Sequence, residues 1–106
     1  MPTPLLKLDF GGHRLGPGKV ELLEHVLETG SISQAAKKMD MSYRRAWLLI
    51  DEMNKMFSQP CVETAAGGAG GGGAKVTAFG QKIVATYQNL ALKVAAESET
   101  AFKNLK

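Results

Sequence analysis

Cysteine is nearly absent: Cys61 stands alone in 106 residues. No internal disulfide is open to the chain, which fits a reducing compartment and a cytoplasmic location. Histidine is as sparse, with His13 and His25 far apart in sequence. A zinc site needs about four ligands, so no metal site and no cofactor is expected. No apolar run approaches the ~20 residues needed to cross a bilayer, which argues against a membrane span. The opening MPTPLLKLDF has no basic segment followed by an apolar run, so no secretory signal is expected. Catalytic pairs are missing too. No nucleophile and base stand at a convincing spacing. The neighbouring carboxylates Asp51 and Glu52 cannot face a common point on a helix. Cys61, beside Pro60, reads as a small packed apolar residue. The chain is therefore not expected to be an enzyme.

What is present suits one small domain, residues 1–106, with a modest core that makes an oligomer a live option. The net charge of +3 points weakly to a polyanionic partner. LLKLDF alternates, with Leu6, Leu8 and Phe10 on one face, and reads as a short strand. GGHRLGPG then turns the chain into a helix, PGKVELLEHVLETG. Pro17 sits in its first turn, Val20, Leu22, Leu23, Val26 and Leu27 form its apolar stripe, and Gly30 stops it.

Two helices follow in close succession. SISQAAKKM opens on Ser31 with Gln34 three residues on, a capping box, and presents Ile32, Ala35, Ala36 and Met39 inward. After the short turn DMS, Ser42 caps a helix with Tyr43, Ala46, Trp47, Ile50, Met53 and Phe57 on its inner stripe. Trp47 is accordingly expected in the core, as is the ring of Tyr43, with a hydrogen bond from Tyr43 to phosphate as the alternative. Beyond Pro60, CVETA and AKVTA flank a run with six glycines in seven residues, a loose hairpin signature. This run is no P-loop, because Ala74, Lys75 and Val76 stand where G-K-[ST] would close one. The chain then enters a long helix, over about residues 78–105, or roughly 42 Å.

Two short helices joined by a tight turn, with small residues in the first, suggest a helix-turn-helix over about residues 31–57. The order helix, helix, helix, hairpin, helix is the winged-helix layout, with the wing over about residues 61–77. The expected fold class is thus mainly α with a small β hairpin. Ser42, Tyr43, Arg44 and Arg45 open the helix that would enter the major groove. The planar fork of arginine suits guanine O6 and N7, and its charge also holds phosphate. Ser33, Gln34 and Lys37 on the preceding helix, Lys55, and Gly71, Gly72 and Lys75 in the wing complete the expected DNA contacts, with Lys38 a further candidate for phosphate.

The runs GSISQAAK, SYRRAWLLIDEMN and GGAGGGGAKVTAFGQ occur in this order. Together they resemble the N-terminal DNA-binding domain of the ModE family of molybdate-responsive transcriptional regulators, from about residue 17 to 87. The resemblance implies a LysR-type winged helix-turn-helix that binds a palindromic duplex as a homodimer. It implies that residues 42–53 enter the groove, that the glycines form the wing, and that the first and last helices pair two subunits. Leu23, Leu27, Tyr87, Leu90, Val94, Ala101 and Leu105 are the candidates for that pairing. Two departures matter. The family carries molybdate-binding domains after this region, and these 106 residues do not contain them. Leu48 and Leu49 stand where more polar residues are expected. The effector, and whether a separate protein senses it, stay open. So does an alternative in which the fold serves as a protein-interaction module.

Overall fold

The computed structural model describes residues 5–64 and 73–105. Helix α1 (Pro17–Thr29) supplies the centre of the core, with Leu22, Leu23 and Val26 fully buried. Its end is set by Gly30, whose φ of 68° is the left-handed conformation that glycine adopts without a Cβ penalty. The Gly30 N–H donates to the Val26 carbonyl at 2.7 Å. Helices α2 (Ile32–Lys38) and α3 (Tyr43–Met56) pack on α1 and on each other. The small side chains of Ala35, Ala36 and Ala46, all buried, permit the close approach.

The wing is a two-stranded antiparallel hairpin, β3 (Val62–Thr64) with β4 (Ala74–Val76). Val62 lies opposite Val76 and both are buried, while Glu63 and Lys75 face out. The expectations for Gly71 and Gly72 lie outside the described residues. Cys61 is fully buried, and burial pushes its thiol up, away from ionisation. That is the behaviour of a packed small residue.

GGHRLGPG does more than turn. Strand β1 (Leu8–Phe10) is answered by a second strand, β2 (His13–Leu15), with Gly11 and Gly12 at positive φ between them. Its pattern hides a strand because only Leu15 is buried. Phe10, on the same hairpin, packs edge-on against Phe57 at 5.2 Å between ring centres.

Helix α4 (Ala78–Phe102) ends slightly earlier than residue 105. Val84 and Tyr87 join the core, and Ala91 packs against it. Farther along, Leu92, Phe102 and Leu105 are exposed. The molecule is accordingly elongated, 59 × 28 × 22 Å. Two residues expected to pair subunits are instead inside the protomer: Leu23 is fully buried, and Tyr87 is 7% exposed with its hydroxyl donating to the Leu6 carbonyl at 2.7 Å. Each lies on the side of its helix that meets the core, where a second copy has no access.

Candidate nucleic-acid interface

The helix-turn-helix is built from caps. The Ser31 hydroxyl accepts from the Gln34 N–H at 3.1 Å, and the Ser42 hydroxyl accepts from the Arg45 N–H at 3.1 Å. Between them the chain reverses through Asp40, the one non-glycine residue at positive φ (53°) among the described residues. Its N–H donates to the Lys37 carbonyl, and the Met41 N–H donates to the Ala36 carbonyl at 3.0 Å. This pair of bonds satisfies the last carbonyls of α2 and holds the turn short. A short aspartate tolerates the left-handed region better than most side chains.

On α3 the inner stripe is Ala46, Ile50 and Met53, all buried. Tyr43 and Trp47, expected in the core, are 56% and 44% exposed. Tyr43 lies in the first turn, where α3 runs past the elements that cover it, and Trp47 lies at the edge of the stripe. The outward face therefore carries Ser42, Tyr43, Arg44, Arg45, Trp47 and Leu48 together. Neither arginine has an ion pair among the described residues, nor does Lys37. Ser33, Gln34 and Lys37 are exposed on α2. Lys38 is paired with Glu28, and Lys55 with Asp51 at 2.9 Å, one turn apart on α3. Lys75 is exposed on β4, opposite Glu63.

Three residues that sequence reasoning passed over fix the wing to this surface. The Asn54 side chain brackets the start of β3, accepting from the Cys61 and Val62 N–H groups at 2.8 and 3.0 Å and donating to the Val62 carbonyl at 3.0 Å. The Thr77 hydroxyl caps α4 by accepting from the Gly80 N–H at 2.9 Å and donates to the Pro60 carbonyl at 2.8 Å. Gly80, in the first turn of α4, is a close-approach site. A Cβ there would stand 2.3 Å from the Cys61 carbonyl oxygen and 2.8 Å from Val76 Cγ1. A polar asparagine near an apolar stripe and a glycine in a helix's first turn were the available signals.

The β1–β2 hairpin places further charge beside α3. His13 and Lys19 both hold the Glu52 carboxylate, at 3.0 and 2.9 Å. The hydrogen bond from Lys19, then that from His13, lowers the Glu52 carboxyl below its ordinary range. Arg14 and Lys7 lie near Arg45, around a common cavity. Among the described residues no cluster of histidine, cysteine and carboxylate side chains is arranged to hold a metal ion, and no helix is long and apolar enough to cross a membrane.

A tight helix pair, an outward arginine-bearing helix and an attached hairpin define a winged helix-turn-helix. Residues 18–81 match the bacterial regulatory helix-turn-helix proteins of the lysR family, and the chain belongs to that family. By this membership it is a regulatory helix-turn-helix domain. The chain is 47% identical over 75 residues to the DNA-binding transcriptional dual regulator ModE of Escherichia coli K12, covering 71% of this chain and 29% of that protein. It is 41% identical over 88 residues to the molybdenum-pterin-binding protein MopB of Rhodobacter capsulatus, covering 83% of this chain and 33% of that protein. The expected ModE-type domain is thus found, and the chain spans about a third of the length of these relatives. In three dimensions it resembles VV2_1132, a LysR family transcriptional regulator, with a TM-score of 0.58 and 22% identity over 96% of this chain and 30% of that one.

Proposed function

We propose that this chain recognises a palindromic duplex as a homodimer, with the N-terminal turns of α3 in the major groove and the wing beside it. The observation that carries this reading is the pair Arg44 and Arg45, without an ion pair among the described residues, on the exposed first turn of a capped helix. Ser42, Tyr43 and Arg44 are the side chains assigned to base edges. Ser33, Gln34 and Lys37 are assigned to the backbone on one side, and Lys55 and Lys75 to the flanks. The work is assigned to the cytoplasm, where a bacterial duplex is found.

The homodimer rests on α4. Leu90, Val94, Ala101 and Phe102 line a shallow groove along its outer half, and Leu90 is 37% exposed. Leu27 on α1 is 52% exposed and Leu105 74% exposed. Covering such a stripe with a second copy is the simplest way to remove it from water. The two-fold axis then sets half-sites about one helical turn, or a multiple of it, apart.

Selection of bound duplexes from a random pool, with and without molybdate, tests this reading. An enriched palindrome is the expected result. Enrichment that changes with molybdate would place an effector on this chain. The exposed Tyr43, Trp47 and Leu48 favour a second reading, a surface that holds another protein. Absence of duplex binding at low salt decides for that one.

A further inference from the structure

Arg45 reaches away from the centre of the outward face. Together with Met41 and Leu49, four residues to either side, it forms one wall of a cavity of about 250 Å³. The opposite wall is Lys7, Arg14, Lys19 and the start of α1, Gly16 to Gly18. Four cationic side chains converge here and no acidic side chain lines the space. The nearby carboxylate, Glu52, is occupied by Lys19 and His13. Lys7, Arg14 and Arg45 have no ion pair among the described residues.

This gathering is held in place by the fold. The stem of Lys7 lies on Gly16, where an added Cβ would stand 3.1 Å from Lys7 Cγ. The residue before Lys7 is fixed by the Tyr87 hydroxyl, which donates to the Leu6 carbonyl at 2.7 Å. The ammonium of Lys19 donates to the Arg14 carbonyl, so the strand bearing Arg14 is tied to α1. Like charges held together on a surface repel, and an anion seated among them removes the cost.

We propose that this cavity is a backbone-phosphate site, in which Lys7, Arg14 and Arg45 seat one phosphate of the duplex that α3 enters. The inference rests on the DNA-binding reading above. It adds the β1–β2 hairpin to the interface, on the side of α3 bearing Arg45 and Leu49. It also changes the role of Arg45. As a lining residue of the cavity, Arg45 positions the protein on the backbone, and Arg44 is left as the arginine that discriminates bases.

The test is a salt titration of wild type and the double variant Lys7→Gln/Arg14→Gln on the selected duplex and on a random one. Wild-type folding of the variant is checked by circular dichroism. The variant is expected to flatten the dependence of log affinity on log salt by about one unit, the contribution of about one phosphate. It weakens both duplexes by the same factor, so the specificity ratio is unchanged. Lys82→Gln on α4 serves as control and keeps the wild-type slope. A scan of neutral methylphosphonates along the selected duplex locates the contact. One position is expected to weaken wild type and leave the double variant unaffected. An unchanged slope with an unchanged methylphosphonate profile overturns the phosphate site while leaving the regulator reading intact. A wild-type protein that binds no duplex at low salt overturns both.

Discussion

The side-chain amide of Asn54 is bonded to both backbone polar groups of Val62: Oδ1 accepts from the N–H and Nδ2 donates to the carbonyl, each at 3.0 Å. A residue of α3 thus stands in for the neighbouring strand that β3 lacks on that side. With the Cys61 N–H also bound, at 2.8 Å, the start of the wing is joined to the helix that carries the arginines. The spacing between α3 and the wing is therefore set in part by this half-buried side chain.

Asn54→Ala is expected to lower unfolding stability by about 1–3 kcal/mol, because half-buried backbone groups lose their partners. Urea denaturation measures this. At a temperature where the variant is fully folded, its affinity for the selected duplex should still fall. Wild-type stability and wild-type affinity together would mean that other contacts hold the wing.

Gly80→Ala sets two effects against each other. Alanine favours the helix by about 1 kcal/mol over glycine. Its Cβ, however, would stand 2.3 Å from the Cys61 carbonyl oxygen, a backbone atom that cannot turn aside. Overpacking of this kind costs about 1–3 kcal/mol, so a net loss and a lower melting temperature are expected. A raised melting temperature would show that α4 and β3 can separate freely.

Glu52 gives stability a pH dependence. Its carboxyl is lowered from 4.5 by Lys19 first and His13 second. A carboxyl lowered on folding contributes fully above its unfolded value and loses that contribution as pH falls through its folded value. The stability gap between wild type and Glu52→Gln should therefore be open at neutral pH and narrow on acidification below the ordinary carboxylate range. Urea melts at about pH 7 and about pH 3 compare the two. A gap of constant size contradicts the charge-pairing account.

Leu90→Glu and Val94→Asp probe the outer half of α4. Burying such a side chain is worth about 1.5–3 kcal/mol, and a two-fold dimer loses two of them with each substitution, so the dimer Kd should rise about a hundredfold or more. Sedimentation equilibrium reads the change. Both positions lie beyond Tyr87, so the protomer should keep its melting cooperativity. A wild-type protein that sediments as a monomer at all accessible concentrations removes the pairing role from α4.

Arg44→Ala is expected to reduce the preference for the selected duplex over random duplex by about 1–3 kcal/mol, the worth of a bidentate base contact. Lys37→Gln should weaken both duplexes equally. Binding titrations at one fixed salt concentration separate these outcomes, and an Arg44→Ala variant with an unchanged preference would exclude it as a base reader.

Much of the helix-turn-helix was legible in advance because its signals are local. Caps at Ser31 and Ser42 depend on neighbours three residues away, and the stripes of α1 and α3 repeat with the helix period. Strand β2 was not legible, since three residues with only Leu15 buried show no alternation. Tyr43 and Trp47 were misplaced for a related reason: periodicity tells which side of a helix a residue occupies, and not whether anything lies against that side.

By itself, the amino-acid sequence determined the order of the four helices, the wing strands and the outward arginines, all consequences of short-range periodicity and turn chemistry. Tertiary structure alone decided which apolar side chains were spent on the protomer core. It drew Leu23 and Tyr87 inward and left Leu27, Leu90 and Leu105 in water. It also brought Lys7 and Arg14 to Arg45 across about 30 residues or more of chain, a convergence that no local spacing encodes because it depends on how the first hairpin docks against α1 and α3.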